Sequence, residues 1–154
     1  MMTKEVLIHM KGMQTLEHME ENEEPMEMIT VGEYYFRNNT HYLLYDEMMD
    51  GFTEPVHNML KIRPGLMEVK KKGTVNVHMI FERDKKNLAY YKTPFGTIEM
   101  DVAATKVTLE EAENWMEIQA DYALGMNGSP VADCAMQIRI TPRGEKNGTT
   151  FFEG

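Results

Sequence analysis

Five histidines, one cysteine and seven tyrosines are the side chains here that most readily do chemistry. His9, His18, His41, His57 and His78 stand singly, with no His-x-x-x-His spacing to bring two imidazoles onto one metal. Most fall on the polar side of the strands described below, so no metal is expected. Cys134 lies among Ala132, Met136 and Ile138 at alternate positions. A nucleophilic thiol needs exposure and a positive environment, so this one reads as a core thiol. Ser129 has no nucleophile elbow around it, and no glycine loop followed by Lys and Ser/Thr is present to cradle a phosphate. No cofactor is expected. Residues 17–27, with Glu20, Glu21, Glu23 and Glu24, lack the regular spacing of a calcium loop and read as a solvated acidic loop. No acid, base and nucleophile set is visible, which ranks catalysis behind binding.

The tyrosines say more. Tyr34, Tyr42, Tyr91 and Tyr122 fall with Phe36, Met79 and Met100 on the face that alternation turns inward. Hydroxyls among rings and thioethers suit an apolar ligand with a polar end; the plain alternative is that these side chains simply fill the interior. Sixteen methionines fit either reading, since thioethers adapt to irregular space, and biased genomic usage would also supply them.

A second group is basic. Lys61, Arg63, Lys70, Lys71 and Lys72 face only Glu68 between residues 61 and 72, in a chain of net charge −9. The lysines do not alternate with aromatic residues as a single-strand nucleic-acid platform would, and the whole molecule repels phosphate backbones. Nucleic acid is therefore set aside. An exposed basic hairpin of this kind suits an acidic protein partner, or else protects a sheet edge.

The elements that would carry these groups are strands. Val6, Ile8 and Met10 alternate with Leu7, His9 and Lys11. The same period of two runs through Val75, Val77, Met79 and Phe81, through Ile98, Met100 and Val102, and from Ala132 to Ile140. One apolar and one polar face is the signature of antiparallel strands over a single core. Residues 108–114 are the one candidate helical turn, with Thr108 as cap and acids behind it.

Turn chemistry sets the register, because a slip of one residue exchanges the faces. Pro64-Gly65 as a two-residue turn aligns Ile62 with Met67 and Leu60 with Val69. A three-residue loop Lys71-Lys72-Gly73 would align Val69 with Val75, and a three-residue loop Asn38-Asn39-Thr40 would align Phe36 with Tyr42. Near Asn127-Gly128 the rules conflict: a two-residue hairpin there turns the following apolar set outward. A five-residue loop from Met126 to Pro130 keeps Leu124 with Ala132 and Tyr122 with Cys134, and is preferred. Thr93-Pro94-Phe95-Gly96 suits a β-turn that brings Tyr91 opposite Ile98, with Phe95 plugging one end of the fold.

About ten such strands joined by tight turns make a meander, which hides its edges best by closing, last strand against first. The expectation is all-β: a closed antiparallel up-and-down barrel of eight to ten strands. Residues 1–142 form its one domain and 143–154 a tail that Phe151 and Phe152 could tack down. The length suits a single core, and the composition, 42% hydrophobic and 27% charged, suits a soluble protein. No apolar run approaches the ~20 residues of a membrane helix, so no membrane association is expected. The N-terminus reads as a strand rather than a signal peptide, and a lone cysteine makes no internal disulfide, so the cytoplasm is the expected compartment.

The run "GEYYFRNNTHYLLYDE" over residues 32–47, and the path from Val69 through Gly73 and Phe81 to Tyr91-Lys92-Thr93-Pro94-Phe95-Gly96, resemble the YwiB-like family. These are uncharacterised bacterial proteins placed in the calycin superfamily, beside lipocalins and fatty-acid-binding proteins. The resemblance spans residues 5–141 and implies a cytoplasmic calycin-type barrel, with no activity and no catalytic residues to carry over. The better-understood calycins are matched less well. Their Gly-x-Trp is absent, since Trp115 follows Glu113-Asn114, and the place of a carboxylate-holding Arg-x-Tyr reads Arg139-Ile140-Thr141, with Arg139 pointing outward. The expected function is non-enzymatic binding of a small apolar or amphipathic ligand in the lumen. The alternative is a protein-interaction module acting through its outer surface.

Overall fold

The computed structural model describes residues 4–16 and 26–143. His18, the Glu20–Glu24 stretch, and Phe151 and Phe152 of the tail lie outside the described residues. Ten strands follow one another: β1 (Glu5–Leu16), β2 (Met26–Arg37), β3 (Thr40–Glu47), β4 (Val56–Arg63), β5 (Leu66–Lys72), β6 (Val77–Glu82), β7 (Lys85–Thr93), β8 (Gly96–Glu111), β9 (Met116–Met126) and β10 (Ser129–Pro142). They form one antiparallel sheet of order β6-β5-β4-β3-β2-β1-β10-β9-β8-β7. β1 pairs with β10 from Val6↔Pro142 to Leu16↔Ala132, so the last strand does return to the first. The fold is an all-β, ten-stranded up-and-down barrel, nearly closed.

The incomplete closure is local. β6 and β7 are consecutive in the chain yet form the two edges of the sheet. A two-residue turn at Arg83-Asp84 joins them at one end of the barrel, where Asp84 N donates to Ala104 O at 2.8 Å. At the other end the single bridge Asn76↔Lys92 closes the seam, with paired N–H···O bonds of 2.9 and 2.8 Å. Between these ties no ladder forms.

Apolar alternation explains the interior. Val6, Ile8, Leu43, Leu60, Ile62, Met67, Phe81, Ile118, Ile138 and Ile140 come from seven strands and are almost wholly buried in one cluster. Burying side chains of this size is worth ~1.5–3 kcal/mol each, which is what fixes the facing of the strands.

The turns confirm some expected registers and correct others. Pro64-Gly65 pairs Ile62 with Met67 and Leu60 with Val69, and Tyr91 lies opposite Ile98, both as alternation requires. Asn38 and Asn39, at φ +57° and +59°, make a two-residue turn instead of the expected three-residue loop. Phe36 then pairs with His41 and Tyr35 with Tyr42. That one-residue slip puts Tyr42 on the outside and His41 inside.

After β5 the chain runs on through residues 73–76, so Val69 meets Met79 and Met67 meets Phe81. This displaces the expected pairing by four residues. An even shift preserves facing, and Val75, Val77 and Phe81 stay buried. Asn76 shapes the connection, its Nδ2 donating to Gly73 O at 2.9 Å while Gly73 N donates to its Oδ1 at 3.3 Å.

At Asn127-Gly128 both competing rules hold. The two residues, at φ +50° and +85°, form a tight turn with Ser129 opposite Met126. A bulge between Pro130 and Ala132 then absorbs one residue and restores Ala132↔Leu124 and Cys134↔Tyr122. The five-residue loop is not needed. A second bulge, between Ala104 and Lys106, moves the inward set of β8 from Met100, Val102 and Ala104 to Val107 and Leu109. β8 continues as strand to Glu111, so the expected helical turn at 108–114 does not form. Glu110 and Glu111 lie on the exposed strand end, and Glu113 is exposed just beyond it.

Phe95 is 90% exposed and plugs nothing. Its turn is held by Thr93, whose Oγ1 accepts from Phe95 N at 3.0 Å and donates to Gly96 O at 2.9 Å. Gly96 sits at φ +136° with open space where a Cβ would lie, so only its backbone conformation resists substitution. Gly96→Val is expected to cost ~1–3 kcal/mol in urea unfolding. A variant with the parent's midpoint would show that the turn tolerates a β-branched residue and that this strain is absent.

Candidate functional site

The end of the barrel carrying the Lys72-to-Val77 and Thr93-Gly96 connections holds a polar network on its inner face. Met67, Val69 and Lys71 are successive inward positions of β5, as Leu43, Tyr45 and Glu47 are of β3 and Val56, Asn58 and Leu60 are of β4. Period two therefore carries a lysine, a glutamate and an asparagine inside. Lys71 Nζ donates to Glu47 Oε1 at 2.9 Å and to Asn58 Oδ1 at 2.8 Å. Asn58, 2% exposed, returns its Nδ2 to Glu47 Oε1 at 3.2 Å. Lys71 is thus not part of an exposed basic surface, which corrects that expectation.

Burial alone would raise the Glu47 carboxyl and is the largest single influence on it. The Lys71 hydrogen bond and charge, with the Asn58 amide, outweigh it and hold the group below the ordinary carboxylate range. Tyr91 responds in the other direction: burial, then the Glu47 charge, raises its phenol. The Tyr91 hydroxyl therefore lies within the field of this network.

Apolar groups adjoin it. Val77, Ala89 and Met100 form a second buried cluster against which Met79, Tyr91, Ile98, Leu124 and Met126 pack partly buried. Three residues expected inside, Met79, Tyr91 and Met100, are brought together here. Tyr122 also faces in but lies deeper, edge-on to Phe81 at 4.8 Å and beside Cys134. Burial and Cys134 raise the Tyr122 phenol; burial first, with the Asp133 charge, raises the Cys134 thiol against the lowering influence of the Tyr122 hydrogen bond. The thiol is buried and held in its neutral form, as a core cysteine is.

The other expected lining residues lie elsewhere. Tyr34 is buried near the opposite end. Phe36 shares its face but lies at the rim, 43% exposed, its ring 4.8 Å from His41. Tyr42 stacks on Tyr35 at 4.9 Å outside the barrel, with Lys61 Nζ 5.9 Å from its ring centroid. Arg63, Lys70 and Lys72 are exposed, whereas Lys61 is half-buried.

Sequence reasoning missed His41. It is buried and bridges the Tyr34 hydroxyl, 2.9 Å from Nδ1, and the Glu111 carboxylate, 3.3 Å from Nε2. Carboxylate, imidazole and hydroxyl stand in the order of an acyl-transfer triad. However, burial and the Glu111 charge raise the Tyr34 phenol, so the hydroxyl is moved away from ionisation. The arrangement is a satisfied buried histidine. Three other histidines each have an acidic neighbour: His9 with Glu27, His57 with Asp46 at 2.7 Å, and His78 with Glu68 at 2.9 Å. Among the described residues no group of three or more His, Cys, Asp or Glu side chains converges to hold a metal.

A family model described as a domain of unknown function, DUF1934, matches residues 8–138. The chain belongs to the DUF1934 family. Over 106 residues it is 29% identical to the "Uncharacterized beta-barrel protein YwiB" of Bacillus subtilis, covering 68% of this chain and 73% of that protein. The crystal structure of the ywiB protein from Bacillus subtilis superposes with a TM-score of 0.79, over 90% of this chain and 92% of that one, at 24% identity. That likeness supports the barrel for this DUF1934 chain.

Proposed function

We propose that this DUF1934 protein is a non-enzymatic, calycin-like barrel that binds a small amphipathic ligand at the Lys71 end of its lumen. The observation that carries the reading is a contrast within the inner face. Around Ile62, Met67 and Phe81 the inward side chains are sealed from solvent, whereas Met79, Tyr91, Ile98 and Met126 are only partly buried, at the end of the barrel that holds the Lys71–Glu47–Asn58 network. Partly buried thioethers and a ring near a fixed ion pair offer an adaptable apolar wall with a polar anchor. Tyr91 supplies the hydroxyl between the two. Tyr122 would be met only by a ligand reaching deeper.

Thermal-shift screening with lipids and aromatic metabolites, with native mass spectrometry of gently purified protein, tests this. A true ligand should stabilise the fold by ~2.7 kcal/mol at a hundredfold excess over its Kd. Tyr91→Phe should weaken binding about tenfold with the barrel still folded, and Tyr122→Phe should weaken it less. If no compound stabilises the parent and the mass matches the bare chain, the carrier reading fails. The basic outer surface supports a second reading, as an interaction module.

A further inference from the structure

The unclosed seam between β6 and β7 lies under a groove of about 440 Å³ on the outside of the barrel, lined by Lys70, Lys72, His78, Leu88, Tyr90 and Lys92 among others. Lys70, Lys72 and Lys92 are exposed, and none has an acidic partner among the described residues. His78 is already engaged by Glu68. On β7, Leu88, Tyr90 and Lys92 are successive outward positions, with Leu88 57% and Tyr90 52% exposed. Beneath them, the facing edges of β6 and β7 form no ladder between the Arg83-Asp84 turn and the Asn76↔Lys92 bridge. On the inner side of the same seam the Asn87 Nδ2 is buried without a hydrogen-bond partner.

Edge protection does not account for the lysines on β5, because β5 is paired on both sides, by β4 and by β6. What remains is a cationic rim in a protein of net charge −9, two exposed apolar side chains, and two adjacent strand edges that no ladder joins. Backbone donors and acceptors on a sheet edge are matched by an extended chain, and alternating side chains of that chain reach alternating neighbours. The charges call for carboxylates, and Leu88 and Tyr90 for apolar residues between them. Two hydrogen bonds of one bridge and the packing of Val77 with Ala89 are what hold the seam, and an incoming strand would exchange them for a ladder on each edge. We propose that the β6–β7 seam is a docking groove for an extended acidic segment of a partner protein, with acidic and apolar residues alternating along it. The site is on the outer face and does not depend on the lumen binding a ligand.

The test uses the intact chain and a blocked, fluorescently labelled octapeptide alternating glutamate with valine. Its controls are the same composition interrupted by two prolines, a lysine-for-glutamate version, and an octathymidylate. Saturable binding of the acidic peptide alone is expected, with amide shifts concentrated in β6 and β7, and binding at least tenfold weaker in Lys70→Glu/Lys92→Glu. Both lysines are exposed, so each reversal should change stability by only roughly 0.5 kcal/mol, and an unchanged Tm keeps the comparison clean. No binding at millimolar peptide overturns the proposal. So does equal binding of the proline-interrupted peptide, which removes the strand, or of the octathymidylate, which makes the groove a phosphate site. Self-association abolished by the same double variant, without peptide binding, would assign the groove to a second copy and overturn it likewise.

Discussion

Lys71→Met should lower stability by about 3 kcal/mol, the low end of the cost of removing one partner from a buried ion pair. The low end applies because the pair keeps some contact with water, the side chains being 19% and 30% exposed. Methionine matches the stem of lysine, so little packing is lost. What is lost is the donor on which the Glu47 carboxylate and the Asn58 carbonyl both depend. For a chain of this length the melting temperature should fall by roughly 6–12 °C.

The effect carries a pH signature. The folded Glu47 carboxyl lies below its ordinary value, so its contribution is fully present above the unfolded carboxylate pKa of about 4.3 and disappears as pH falls through the lowered folded value. In Lys71→Met, acid neutralises the stranded carboxylate and relieves the defect. The gap in melting temperature between parent and variant should therefore narrow from pH 7 toward pH 3. A gap that stays constant across that range would show that the ion pair is not its origin.

Gly32→Val should be as damaging for a different reason. A Cβ at Gly32 would lie 2.5 Å from Leu44 O, 2.7 Å from Ile8 Cδ1 and 3.3 Å from Tyr45 Cβ. The first contact is with backbone, so β2 and β3 must move apart just where their ladder ends at Glu33↔Leu44. Overpacking of this kind costs ~1–3 kcal/mol and occasionally more, and valine should fall at the upper end. Gly12→Ala is the control, since its Cβ meets only Ala135 O, at 4.0 Å. Urea unfolding should separate the two variants clearly; similar midpoints would mean that β3 yields without cost.

Much of this barrel can be read from the chain because period two and turn chemistry are both local signals. Where they failed, a local rule met a non-local remedy. Asn127-Gly128 asked for a tight turn and the following apolar residues asked for another register; a bulge satisfied both. At Asn38-Asn39 matching Phe36 with Tyr42 argued for a three-residue loop, against the two-residue turn that these residues favour, and it left His41 outside. Its partners, Tyr34 and Glu111, come from distant parts of the chain. Lys71 is legible in principle, standing two residues after the inward Val69, but the glycine at 73 suggested a loop beginning at Lys71, whereas β5 continues through Lys72. Glu47 and Asn58, which make that position tenable, are visible only once β3, β4 and β5 lie side by side. Phe95 was misplaced because nothing in the turn's sequence says which way its tip points.

Among the described residues, every ladder joins strands consecutive in the chain except β1 with β10. Strands β1 to β6 and β7 to β10 are thus two meanders, each able to assemble from neighbouring hairpins. Their union waits on an encounter between segments at opposite ends of the described chain, and the entropy of closing so long a loop is lost before any contact compensates for it. The Arg83-Asp84 turn tethers the two meanders from the other side without holding them together. The folding rate should consequently be governed by this one suture, and the seam opposite it, with a single bridge, is where the finished barrel opens most readily.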